Sequence, residues 1–202
     1  MAVREVLKFP DPRLRKKAEE VSAVTPDLQQ LARDMLETMY AKRGIGLAAP
    51  QIGESVRLLV MDTRPRERDD RRRGAEEEED LMTALESAVV QPVVIFNPKI
   101  VASQGKQSYE EGCLSVPSFY ELVDRFEYIE VHGLDIDGQP LVIKTDGLLS
   151  VCLQHEMDHL EGKLFIDRLS LLKSNRIKTR IKKHGYPDPT KRNDDEDELV
   201  AE

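Results

Sequence analysis

Two cysteines, Cys113 and Cys152, are all that this sequence contains. That is too few for a disulfide-stapled scaffold and points to reduced thiols in a cytoplasmic setting. Long apolar runs are missing as well. No stretch approaches the roughly 18 apolar residues that a membrane-spanning helix needs, which excludes a helical membrane protein. The opening residues, Met1-Ala2-Val3-Arg4-Glu5, have no apolar segment behind a basic end, so no secretory signal is expected. An excess of positive charge is lacking too. Lys and Arg number 30 against 38 Asp and Glu, a formal net charge of −8. A protein that coats DNA is thereby disfavoured, because phosphate binding relies on Lys and Arg displacing counterions.

What is present suits a single domain with polar appendages. The 202 residues, 40% of them hydrophobic and 34% charged, suffice for one core. The expected division is one folded domain over residues 1–186 and an acidic, disordered tail over 187–202. A charged insertion, roughly 63–91, interrupts the domain. Its first half reads as a mobile loop. Its second half reads as a short helix with Leu81, Leu85 and Ala88 or Val89 on one face. Thr25, Pro26 and Gly44 bracket a helix over 26–43 as cap, first residue and stop. Its Leu28, Leu31, Met35 and Met39 recur at helical spacing and face a core. Strands are expected at 56–61, 93–96, 126–134 and 141–144, with Asp137-Gly138 forming a hairpin turn. Further helices are expected from Asp146 or Gly147 to Leu160 and from Ser170 to Lys183. His132 and His184 have no ligand-spaced neighbours and read as ordinary strand and surface residues.

The chemistry is concentrated in His155-Glu156-Met157-Asp158-His159, an H-E-x-x-H pattern on the expected helix. Side chains at i and i+4 share a helical face, with Cβ atoms about 5–6 Å apart, so two imidazoles can converge on one ion. The adjacent glutamate can reach a water on that ion, whose pKa coordination lowers to about 7. A catalytic ion needs a third protein ligand. Phe165 stands where a further histidine would complete H-x-x-G-x-x-H, and no glutamate occurs between Glu161 and Glu196. Asp167 and Cys113 remain as third-ligand candidates. Gly44-x-Gly46-x-x-Ala49 fits a dinucleotide fingerprint, but it follows a helix and meets Pro50 where a helix should open.

Three segments together resemble the peptide deformylases: Gly44-Ile45-Gly46-Leu47-Ala48-Ala49-Pro50-Gln51, Glu111-Gly112-Cys113-Leu114-Ser115, and Gln154-His155-Glu156-Met157-Asp158-His159-Leu160-Glu161-Gly162. The resemblance runs from the first residues to about Lys183. It implies an α+β fold, with antiparallel β-sheets around a central helix that carries the third motif and a C-terminal helix beyond it. It implies removal of the formyl group from the formyl-methionine of new polypeptides, releasing formate. Cys113, His155 and His159 would then hold one divalent ion. Fe(II) is expected, and Zn, Ni or Co are substitutes. Glu156 would move the protons. Gln51 and the Leu114 backbone N–H would hold the oxyanion. Ile45, Leu148, Val151, Cys152 and Tyr109 would line the methionine pocket, and Gly46 would let the backbone approach the substrate. The basic C-terminal helix would offer a contact to the ribosome. The insertion leaves all three motifs intact and is expected to stand apart from the activity. Two other readings compete: a metallopeptidase using Asp167 as third ligand, and a non-catalytic metal-binding or ribosome-binding protein.

Overall fold

A computed structural model of the chain describes residues 2–65 and 82–186. Helix α1, Pro26–Ala41, starts as its sequence dictates: the Thr25 hydroxyl accepts from Leu28 N at 3.3 Å and Pro26 takes the first position. It ends two residues short of the expected boundary. Arg43 enters the left-handed region (φ 57°) and Gly44 N turns back to Met39 O. Ala32, Met35 and Met39 are buried against Leu47, Leu58, Val60 and Phe96, and Leu28 and Leu31 flank them.

The central sheet has five strands in the order β1-β2-β3-β6-β7, every neighbouring pair antiparallel. They are β1 (Gly46–Ala48), β2 (Leu58–Met61), β3 (Val93–Gln104), β6 (Tyr128–Leu134) and β7 (Pro140–Thr145). The Asp137-Gly138 hairpin is present, with Gly138 at φ 76°. β3 runs eight residues beyond the expected 93–96. Its outer half is largely exposed, it carries Pro98, and its pairing to β6 slips twice, so its short Ile100-Val101-Ala102 run does not read as a continuation of the strand.

A second, two-stranded sheet pairs β4 (Gln107–Cys113) with β5 (Val116–Arg125). The 111–115 segment is therefore the end of β4 and a tight turn. The ladder slips between Glu111 and Cys113, and such irregularities recur beside active sites, where they re-aim side chains.

Between the sheets lies α3, Gly147–Leu160. It is apolar on one side and chemically equipped on the other, and both sides are buried, as suits a helix through the middle of a domain. Leu149, Cys152, Leu153 and Leu160 join the inner face of the large sheet. The small sheet packs on the other side, through Val116 and Val123, against Phe165, Ile166 and the Ile177 and Ile181 of α4 (Leu171–His184). On α4, Lys173 and Lys178 are engaged by Glu121 and Asp167, and His184 is exposed.

Of the insertion, residues 66–81 lie outside the described part, as does the tail from 187. The expected short helix is present as α2, Ala84–Ser87, capped by Thr83. Its inward face is not the expected one. Leu85 is 41% exposed while Glu86 is fully buried, because the Glu86 carboxylate meets donors from two other segments.

Candidate active site

Position 46 shows how tightly the site is assembled. β1 crosses directly over α3, and a Cβ on Gly46 would stand 2.7 Å from Cys152 Sγ and closer still to Glu156 Oε1. Any side chain there would displace the Glu156 carboxylate.

Cys113 at the end of β4, and His155 and His159 one turn apart on α3, bring their ligand atoms within 4.8 Å of one another. Cys113 Sγ is 3.3 Å from His159 Nε2, and the two imidazole centroids are 5.0 Å apart. Donors at about 2.0–2.3 Å from a tetrahedral ion stand roughly 3.5 Å apart, so this thiolate and imidazole set fits a divalent transition metal. Asp167 is elsewhere. It accepts from Arg15, from Lys178 and from Leu164 N, and the only three-donor group among the described residues is Cys113, His155 and His159.

The metal-facing orientation of His155 is fixed from behind. Its Nδ1 pairs with Glu111 Oε2 at 2.7 Å, which leaves Nε2 for an ion. Glu111 is in turn held by Arg125, at 2.6 and 2.8 Å. Arg125 also reaches Asp158 at 2.6 Å, and Asp158 takes Arg168 at 2.5 and 2.6 Å. Burial works against the charged form of both carboxylates, but these guanidinium bonds outweigh it and hold Glu111 and Asp158 below the ordinary range. Neither Glu111 nor Arg125 was given a role from the sequence. Glu111 sits in a quoted motif, whereas Arg125 has no local signature at all.

Glu156 is different. Burial, only partly opposed by the charge on His155, pushes its carboxyl up to about 7, and its buried Oε2 has no hydrogen-bond partner among the described residues. A carboxyl near neutrality can both take and give a proton.

A cavity of about 500 Å³ opens on these groups. Its wall contains Ile45, Gly46, Tyr109, Leu148, Val151 and Cys152, all six residues expected to meet substrate. Gln51, Cys113, Leu114, His155 and Glu156 line it as well. Gln51 is 1% exposed, and its orientation is set by Ala48 N, which donates to Oε1 at 2.7 Å. Its Nε2 donates to Cys113 Sγ at 3.6 Å and to Ser115 Oγ at 3.3 Å. Arg43, Glu110 and Tyr120 at the rim were not anticipated.

Comparison with known proteins agrees with the motifs. The family model for polypeptide deformylase matches residues 3–175. The chain belongs to that family. A peptide deformylase of Acinetobacter baumannii is 45% identical over 184 residues, 91% of this chain and 92% of that protein. The crystal structure of a peptide deformylase from Legionella pneumophila superposes with a TM-score of 0.74 at 44% identity, covering 90% of this chain and 95% of that one. A deformylase from Ehrlichia chaffeensis, solved in complex with actinonin, gives a TM-score of 0.77 at 40% identity over 91% and 98% of the two chains. Deformylases are metal-dependent hydrolases that remove the formyl group from nascent polypeptides, and this chain is an enzyme of that kind. No helix among the described residues is long and apolar enough to cross a membrane.

Proposed function

We propose that formyl-methionyl peptides are hydrolysed in the cavity beside Cys113, His155 and His159, and that these three side chains hold one ferrous ion. The carrying observation is the convergence of these three donors, with Cys113 and His155 on the wall of a cavity that Glu156 and Gln51 also line. A bound divalent ion supplies Lewis acidity and makes water a competent nucleophile near neutral pH. The rest of the chemistry falls to the protein. Glu156 takes the proton released as the formyl carbon is attacked, then passes it to the departing amine. Gln51 Nε2 and Leu114 N–H donate to the carbonyl oxygen as it gains negative charge. Ile45, Leu148, Val151 and Cys152 enclose the methionine side chain and keep bulk water from the scissile bond.

Iron is the ion that the family resemblance implies, while Cys/His/His ligation by itself accepts zinc as readily. The deciding experiment is release of formate from a formyl-Met tripeptide by protein purified without oxygen, with Fe(II), Ni(II), Zn(II) or a chelator added. Release that needs the metal, is highest with iron and fades in air supports the proposal. Equal and air-stable turnover with zinc would remove iron from it, and absence of release with every ion would remove the activity.

Gln51→Ala is expected to lower kcat by about 100-fold to 1000-fold, the usual effect of losing one oxyanion donor. KM and metal content should hardly change. A fall carried by KM would instead make Gln51 a ground-state contact.

A further inference from the structure

The return limb of the insertion is built into the active site's support. Glu86, on α2, is fully buried. Its Oε1 accepts from Thr63 Oγ1 at 2.8 Å and from Leu149 N at 3.0 Å. Leu149 is the third residue of α3, and its N–H is one of the donors that a helix start leaves unsatisfied. A residue at the Asp146 position usually meets such a donor with its own side chain, but Asp146 makes no such bond. Its carboxylate takes the Thr83 hydroxyl instead. The same Thr83 caps α2, accepting from Glu86 N at 3.0 Å. Thr63 N donates to Gln91 Oε1 at 2.7 Å, so the two ends of the insertion are tied together beside this cap.

We infer that Glu86 is a positioning residue for substrate selection: it caps α3 from outside and sets where the first turn of the catalytic helix sits. Two features of that turn give the inference its direction. Gly147 adopts φ +58°, and a Cβ on it would lie 2.6 Å from Glu86 Oε2, so the carboxylate and the backbone of the turn are in direct contact. The next residue, Leu148, and Val151 one turn on are walls of the substrate cavity. His155 and Glu156 follow two turns later and are held separately, by Glu111 and by the packing of β1. Loss of the cap therefore loosens the apolar wall and leaves the metal-side groups in place. This splits the insertion, which the sequence presents as one segment outside the activity.

The inference rests on the deformylase reading, and the test separates the two. Formate release would be measured from formyl-Met and formyl-Ala tripeptides with wild type, Glu86→Ala, Glu86→Asp and Glu86→Gln. Gln keeps the Oε1 acceptor, while Asp withdraws it by one methylene. The Ala and Asp variants are expected to lose about tenfold in kcat/KM for formyl-Met, through KM, as suits the loss of one cap. Their formyl-Ala turnover, kcat and metal content stay at wild-type values, and Gln restores the formyl-Met KM. Thr63→Val, which removes one donor and keeps the carboxylate, gives a smaller change in the same direction and serves if the other variants fold poorly. Amide exchange at Leu149 reads the cap without activity: protection is retained in Gln and lost in Asp. Equal losses on both substrates, or Gln and Asp behaving alike, would overturn the inference. Wild type releasing no formate while Leu149 follows the expected exchange pattern would overturn the deformylase reading and leave the cap standing.

Discussion

Replacing Glu156 by alanine is expected to lower kcat for formate release by about 100-fold to 10,000-fold, the range for a lost general acid–base group. The metal content of the protein should be unchanged, because Glu156 is not one of the three converging donors. KM should change little, since the carboxyl is not part of the apolar enclosure that takes the methionine. The physical ground is the poise of this group. Burial raises its pKa to about 7, where proton uptake and release are both accessible. Its Oε2, buried without a partner among the described residues, is the kind of atom that a folded protein rarely leaves unpaired without a chemical use.

Glu156→Gln makes the test sharper. It keeps the shape and the packing against Gly46 and Cys152 but cannot carry the proton. If proton transfer is the role, Gln is as inactive as Ala. Should Gln retain activity within about tenfold of wild type, a margin well below the range for acid–base loss, the carboxyl would be a space-filling group and the proton would have to travel through water.

The distinction between what the sequence makes legible and what it does not follows the range of the interactions. α1 and α3 were legible because their caps, stops and periodicity lie within a few residues of one another. The two-imidazole half of the metal site was legible for the same reason, being an i, i+4 pair on one helix. Cys113 is 42 residues before His155 by its number, and from the residues alone it competed with Asp167. Only the motif resemblance chose between them. Helix spacing gave no view of what stands behind the ligands. Arg125 lies 14 residues from Glu111 and 33 from Asp158, and Glu86 lies 63 from Leu149. Glu86 was moreover hidden by a rule that works elsewhere. Apolar periodicity assigned the inward face of α2 to Leu85, whereas the buried residue is a charged one with waiting donors. The small sheet was missed in a related way, since its outward residues, among them Tyr120 and Leu122, are exposed and break the expected alternation.

Arg125→Ala is expected to cost about 3–5 kcal/mol of folding stability, the range for removing one partner of a buried ion pair. For a chain of this size that lowers the thermal midpoint by about 10 °C. The guanidinium is 3% exposed as a residue and sits between two buried carboxylates. Without it, Asp158 still has Arg168, but Glu111 keeps only His155. The consequence is chemical as well as structural. Glu111 orients the imidazole that faces the ion, and losing such an outer partner typically weakens metal binding by about 10-fold to 100-fold. Two variants separate the contributions. Arg125→Met restores volume without charge and should remain nearly as unstable as Ala, because the stranded charge on Glu111 is the main penalty. Adding Glu111→Gln to Arg125→Met removes that charge and should recover much of the stability, yet it leaves metal affinity low, because a neutral amide orients and polarises His155 less strongly than a carboxylate. Stability measured by thermal unfolding and affinity by competition with a chelator would read the two effects independently. Recovery of both in the double variant would mean that the carboxylate does not tune the metal site, and that the buried network serves folding alone.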